Sequence, residues 1–447
     1  MRTASQLTFL LLRRGTDTSR ASPLLPVAAF AVVTALALTV LGGARFFFTI
    51  EGDLGVFYQS LAALAVTLLL IPLLTLCGSA ARLSARRRDQ HLSTLRLLGA
   101  PTRTLTSMTV LESMLLAAGG TVLGVLGHLA LAPLLGLLVF HGERLGAGNI
   151  LLGPVGTALC GLALLALAAV SSLLGLRGVV VSPLGVRTRQ AAPSMSLARV
   201  AGIMLALGAG FLASRAMKID QGVVATVISM MVTFGLTMAV LNLVGPWLLG
   251  VVARLQLRRA GGRHVAERLI AARTVLDSPK AAWRQVSGVA LTSFIAVFAG
   301  VGLAVTNTMS GAGGSSREDK LLLADLGTGI ALTLGISFVT VAASVAVNQA
   351  ADILDRRELF ASLDRMGMPL AGMDRARRRA VMFPLQVVSL GSALAAALLI
   401  FPLSGLALLT DPLSLVSTAA LLAAGIALVW LTLLATSPML SRVARGS

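Results

Sequence analysis

Between Val56 and Gly78 the chain reads VFYQSLAALAVTLLLIPLLTLCG, and from Ser79 to Gln90 it continues SAARLSARRRDQ. The first stretch carries no charge, whereas the second holds four arginines and one aspartate. The apolar residues form one unbroken run with no polar stripe. A helix needs about 20 such residues to cross the hydrocarbon core of a bilayer. Backbone polar groups in lipid must be hydrogen-bonded internally, so the run is predicted to be a transmembrane helix. Basic residues collect on the cytoplasmic side of such helices, so the arginines predict which end of it faces inward.

Outward from this segment, the same pattern recurs. Ten apolar segments are predicted to span, at 24–48, 56–78, 105–131, 150–176, 198–214, 222–252, 286–307, 322–348, 381–402 and 413–436. The stretch 105–140 reads either as one long helix or as a helix that breaks near Pro133 and runs on along the interface. Alternating strand patterns for a barrel are absent. Residues 3–14 are predicted to form a short interfacial helix: the apolar run Leu7–Leu12 is short and Arg13–Arg14 follows it. The fold class is therefore an all-α polytopic membrane protein of about ten transmembrane helices.

The 447 residues are 56% hydrophobic and only 12% charged, which excludes an ordinary soluble enzyme and a disordered chain. The formal charge of +19 raises nucleic acid as a partner until the charges are located. With the N-terminus inside and ten alternating spans, 31 of the 37 Lys+Arg fall in cytoplasmic segments. The other six are Arg45, Arg144, Arg215, Lys218, Arg317 and Lys320. This asymmetry predicts that both termini are cytoplasmic, that the charge lies against membrane lipids, and that nucleic acid is not a partner.

Two cytoplasmic loops resemble one another at an offset of 268 residues. Arg88 aligns with Arg356, Leu92 with Phe360, Leu95 with Leu363, Leu98 with Met366, Gly99 with Gly367 and Pro101 with Pro369. In each copy the apolar positions recur every third residue, which puts them on one helix face. Gly99 and Gly367 then stop the helix and the prolines prevent its continuation. Each loop is thus predicted to be a short amphipathic helix held against the roots of the spans. The repeat implies two three-helix cores, at 56–176 and 322–436. The chain divides on this basis into an N-terminal half (1–196), central helices with a cytoplasmic linker (197–284), and a C-terminal half (285–447).

These residues carry a family resemblance. The basic run, the pattern Leu92-x-x-Leu95-Arg96-x-x-Gly99-Ala100, and the following span with Glu112, Gly119–Gly120, Gly124 and Gly127 resemble FtsX/MacB-type ABC transporter permeases. The second copy, Arg356–Arg357–Glu358 through Gly367–Met368–Pro369, is similar, as is the stretch Ala272–Pro279. The resemblance is to single-chain permeases with two FtsX-like domains, but without a large extracellular domain: the links at 50–57 and 308–321 are short. It implies that the two short helices are coupling helices, each seated in a groove of a separate ATPase subunit, with the apolar stripe inserted. The residues implied are Arg87, Arg88, Leu92, Leu95, Arg96 and Gly99, then Arg356, Glu358, Leu363, Arg365 and Gly367. The family implies a non-catalytic transport subunit at the bacterial inner membrane. Its partner would be an ABC ATPase, acting as a dimer, that binds the ATP and Mg; the chain itself would hold no cofactor.

The residues agree on what the chain lacks. The three lysines, Lys218, Lys280 and Lys320, stand in no G-x-x-x-x-G-K-[ST] pattern. The four histidines lie in different segments and give no metal-ligand spacing. Cys77 and Cys160 fall inside predicted spans and read as packing residues. Glu112 is the intramembrane candidate, because ionisable groups within spans are functional by default; its other reading is a place near the inner headgroups, paired with a cytoplasmic arginine. His128 reads as a hydrogen-bonded interface residue, and Asn242, Asn307 and Asn348 as links between helices. Gly120-x-x-x-Gly124 predicts a close helix–helix seam, Asp325 a place at the outer interface, and Tyr58 and Trp283 interfacial anchoring. Two other functions remain open: a signalling or scaffold protein that regulates envelope processes, and an ion-coupled transporter that uses Glu112.

Overall fold

The computed structural model describes residues 21–51, 53–86, 102–140, 142–181, 222–258, 265–312, 317–399 and 412–445. Along the chain these form α1 (Ala21–Phe47), α2 (Asp53–Arg86), α3 (Thr102–Leu135), β1 (Val139–Phe140), β2 (Glu143–Arg144), α4 (Ala147–Ile150) and α5 (Gly153–Val181). There follow α6 (Gly222–Arg258), α7 (Val265–Asp277), α8 (Pro279–Ala312), α9 (Arg317–Asp355), α10 (Arg357–Arg365), α11 (Leu370–Leu399), α12 (Pro412–Ala435) and α13 (Ser437–Arg445). Among the described residues nine helices are long and apolar enough to cross a membrane, and they coincide with nine of the ten predicted spans. The fifth predicted span, 198–214, the helix at 3–14 and the first amphipathic loop, 87–101, lie outside the described residues.

The helices sort into two packed groups. Phe30 and Val33 of α1, Leu76, Cys77 and Ala80 of α2, Ala117 of α3 and Ala168 of α5 share one buried cluster. Leu249 of α6, Val275 of α7, Val286 and Val289 of α8, Leu385 of α11 and Leu433 of α12 share another. Helix α9 belongs to both: Val341, Ala342 and Val345 join the second, while Val347 and Ala351 join the first. At 39 residues α9 is about 58 Å long, well beyond the hydrocarbon thickness, so it projects from the bilayer.

Small residues and hydroxyls make the seams. A side chain at Gly124 would meet Thr34 Cβ at 2.5 Å and the Ala31 carbonyl oxygen at 2.6 Å, and one at Gly120 would meet Phe30 and Val27. The predicted seam is therefore α1 on α3. His128 Nδ1 lies 3.0 Å from Thr39 Oγ1 across the same contact. Ser113 and Ser172 link α3 to α5 at 3.2 Å, Ser293 and Ser389 link α8 to α11 at 2.8 Å, and Thr292 pairs with Ser337 between α8 and α9. Asn348 donates to Ser79 Oγ at 3.2 Å, joining α9 to α2, as expected of an inter-helix asparagine.

Of the two readings of 105–140, the structure follows the unbroken helix: α3 runs through Pro133 to Leu135 and then turns back. The Gly146 N–H donates to the Gly136 carbonyl, and a two-residue ribbon pairs Val139 with Arg144 and Phe140 with Glu143. The polar 308–321 connector is mostly helix, since α8 extends to Ala312 and α9 starts at Arg317. Extending an existing helix adds a hydrogen bond per residue without a new nucleus, which outweighs weak local propensity. Trp283 and Tyr58 are buried, so neither side chain faces lipid as an interfacial anchor would. Trp283 Nε1 donates to Asn242 Oδ1 at 2.7 Å, so its one polar atom is satisfied inside the bundle, between α8 and α6.

Candidate functional site

Helix α10 follows α9 after a single residue, Arg356, whose Nε lies 3.2 Å from the Asp352 carboxylate. Glu358 stands in its first turn and Arg365 in its last, the order that complements the helix dipole. The Met368 N–H returns to the Leu363 carbonyl at 3.0 Å and the Gly367 N–H to that of Asp364 at 2.9 Å. Gly367 has φ +83°, a conformation that costs other residues about 1 kcal/mol, so the glycine stop read from the sequence is the observed C-terminus of α10.

The apolar stripe of α10 faces the chain itself. Phe360 is buried with Ile353 of α9, Met373 of α11 and Leu440 of α13, and Leu363 packs against that cluster. This differs from a stripe inserted into a partner's groove. The reason is α13, an amphipathic helix of the C-terminal segment that lies beside α10 and offers Met439 and Leu440. The face left exposed carries Arg357, Glu358, Leu359, Arg365 and Met366, with Met366 73% accessible. Of the implied coupling residues, Glu358, Arg365 and Gly367 are thus exposed, Arg356 is half-buried and Leu363 is turned inward.

Next to α10 stands an ionic knot that sequence reading did not single out. Arg377 of α11 donates to Asp374 Oδ1 at 2.8 Å, to the Leu433 carbonyl at 2.9 Å and to Thr436 Oγ1 at 2.8 Å. Arg378 holds the other Asp374 oxygen at 2.8 Å. Glu267 of α7 is 5% accessible and takes Arg375 at 3.0 Å and Arg379 at 3.4 Å. The knot ties α7, α11 and the α12–α13 junction together beside α10. Its sequence signal was the run Arg375–Arg379 just after Asp374, four arginines in five residues, which read only as charge.

At the other end of α9 a cavity of about 340 Å³ opens between α1, α2, α8 and α9. Phe140 of β1, Leu145 and Ile150 also line it. Its walls are mostly aliphatic and aromatic, among them Phe47, Leu61, Leu68, Phe298 and Ile330. Asp325 is the one acidic side chain among the described residues of the lining. It is 5% accessible, and the Tyr58 hydroxyl donates to its Oδ2 at 2.6 Å. Tyr58 is the only tyrosine of the sequence. The signal was present as an aspartate within an apolar run and a tyrosine at a span's end; that the two meet depends on α2 packing on α9. Glu112, half-buried on α3, lies outside the cavity. Among the described residues no group of three His, Cys, Asp or Glu is placed to hold a metal.

Comparison with known proteins gives one match. Residues 79–183 match the family model FtsX-like permease C-terminal, a stretch that runs from the end of α2 through α3 to α5. No curated protein and no solved structure matches the chain. The molecule is therefore a multi-pass transmembrane protein that carries one FtsX-like permease domain.

Proposed function

We propose that this chain, with its FtsX-like domain at 79–183 as the premise, is the transmembrane permease subunit of an ABC transporter. It would couple ATP hydrolysis by a separate ATPase dimer to export or extraction of a hydrophobic or amphiphilic substrate at a bacterial cell membrane. The domain match carries this reading, since an FtsX-like permease is typically a non-catalytic membrane subunit that works with an ABC ATPase. ATP and Mg would sit in that partner. The termini would be cytoplasmic, on the strength of the 31 basic residues that the ten-span topology gathers on one side.

Helix α10 would be one coupling element and the loop of Arg87, Arg88, Leu92, Leu95, Arg96 and Gly99 the other, related by the 268-residue repeat. The exposed face of α10, from Arg357 to Met366, would meet the ATPase, while Phe360 and Leu363 anchor the helix to α9, α11 and α13. The geometry supports a lever: α9 leads from α10 straight to the cavity wall, so a push on α10 would move Asp325, Gly329 and Thr333 relative to α2.

The test is co-expression with a candidate ABC ATPase subunit. Replacing Leu359 and Met366 with Asp should weaken association about thirtyfold, as loss of apolar anchors at an interface costs about 2 kcal/mol. ATPase stimulation should fall with it, while the protein's own stability holds. Leu363→Asp should instead lower stability, because it opens the α10–α13 contact. Coupling that survives the Leu359/Met366 change removes α10 from the ATPase interface. A chain that binds the ATPase but moves no amphiphile would return the scaffold reading.

A further inference from the structure

We propose that the arginine cluster at the start of α11, where it meets α7, binds the headgroup of an anionic phospholipid. Two acids stand among four arginines. Glu267 of α7 takes Arg375 and Arg379, and Asp374 takes Arg377 and Arg378. Among the described residues no third acid lies within 4.0 Å of these arginines, so the cluster holds more positive than negative charge. It is also short of acceptors: Arg377 Nε, Arg378 Nε and Arg379 Nη1 have none among the described residues. Arg377 is buried and held by Asp374, Leu433 and Thr436, so it belongs to the scaffold. The other three reach the surface, with side chains 45% accessible at Arg375, 39% at Arg379 and 25% at Arg378. A guanidinium carries five N–H donors, and one shared carboxylate leaves some of them for a second anion. Its planar fork matches two oxygens of a phosphate.

The cluster stands at headgroup depth. Arg379 is followed by 20 uncharged residues, Ala380–Leu399, which complete the membrane-crossing part of α11. Helix α7 leads through the single residue Ser278 into α8, another membrane-crossing helix. Leu269 of α7 is exposed, as suits a helix lying in the interface with an apolar side chain toward the acyl chains. Arg268, exposed and next to Glu267 in sequence, adds a cation. Asp277, the exposed acid of α7, is about 15 Å along the helix from Glu267, beyond the screening length at physiological salt. Net charge then selects the lipid. Phosphatidylcholine covers its phosphate with an ammonium, a like charge to the arginines, whereas phosphatidylglycerol does not. Lipid is the source rather than free phosphate, because headgroups are already concentrated at this depth and basic side chains there are drawn to anionic ones. A headgroup on Arg375 and Arg379 would brace the contact of α7 with α11, the base beside which α10 sits. The inference holds whether or not the chain is a permease.

The experiment is native mass spectrometry of the full chain in detergent, titrated with phosphatidylglycerol or with phosphatidylcholine of the same acyl chains. The first phosphatidylglycerol should bind about tenfold more tightly, and the preference should fade in about 1 M salt. Arg375→Gln with Arg379→Gln should weaken phosphatidylglycerol about tenfold and leave phosphatidylcholine unchanged. Arg357→Gln with Arg365→Gln, which removes the same charge from α10, should leave both as they were. Equal binding of the two lipids, an equal loss in both double variants, or displacement of phosphatidylglycerol by millimolar inorganic phosphate would each overturn the inference. So would equal lipid binding together with loss of a candidate ABC ATPase from the Arg375/Arg379 variant, which would assign the surface to a protein. If that variant does not fold, the unaltered chain decides with a phosphatidylglycerol that carries a diazirine in its headgroup. Saturable labelling on α7 and the first turns of α11 supports the site, and labelling confined to other helices overturns it.

Discussion

Arg377 is a cation almost sealed inside a membrane protein, and three hydrogen bonds explain how it is tolerated. Asp374 neutralises it and Arg378 at once. Removing the acid leaves two guanidinium groups without their counter-ion, and breaking a buried pair in this way costs about 3–5 kcal/mol. Asp374→Ala should therefore lower the thermal unfolding midpoint sharply in detergent, whereas Arg375→Ala, at a half-exposed member of the knot, should cost much less. A second residue-scale test concerns Gly245 of α6. A Cβ there would enter the Trp283 ring, so Gly245→Ala must displace the indole from Asn242. Overpacking of this kind costs about 1–3 kcal/mol. Thermal unfolding followed by tryptophan fluorescence should show both the loss and the altered indole environment. Arginine next to aspartate and glycine near asparagine are visible in a sequence; which arginine is buried, and which glycine faces an indole, is not.

At the scale of elements, the α1–α3 seam and the α10 cap make separable predictions. Gly124 faces Thr34 and Ala31, while nothing lies within 4 Å of a side chain at Gly119. Gly124→Ala should push α1 away and destabilise by about 1–3 kcal/mol. Gly119→Ala, on the same helix, should be neutral or slightly stabilising, since alanine favours helix over glycine by about 1 kcal/mol. Unfolding midpoints of the two variants check the pair. At α10, Gly367→Ala should cost about 1 kcal/mol at the left-handed C-terminus. It should raise amide exchange across 357–365 without affecting the transmembrane helices. Helix existence was legible here because apolar run length and the Gly-Pro stop are local signals. The partner of each face was not: the stripe Phe360, Leu363, Met366 reads equally as a surface for another protein or for α13, and only Met366 stays out.

For the whole molecule, orientation is the open physical variable and has a direct test. Single cysteines at Ser362 in α10 and Glu143 in the ribbon, in a chain with Cys77 and Cys160 replaced by Ser, should label oppositely with a membrane-impermeant maleimide. In intact cells Glu143→Cys should react and Ser362→Cys should not; the reverse would invert the topology. The sequence by itself determined that the chain crosses the membrane as helices, because a bilayer forces every long apolar run to satisfy its backbone internally. It also determined nine of the spans that the structure describes and the glycine stop at Gly367. Tertiary structure alone decided that α9 bridges both helix groups, that the α10 stripe is used within the chain, and that Tyr58 reaches Asp325 across a cavity. Those outcomes depend on contacts between residues as far apart as 58 and 325. Apolar helices look alike to one another in sequence, and only the fit of small residues and hydroxyls at their seams selects which of them meet.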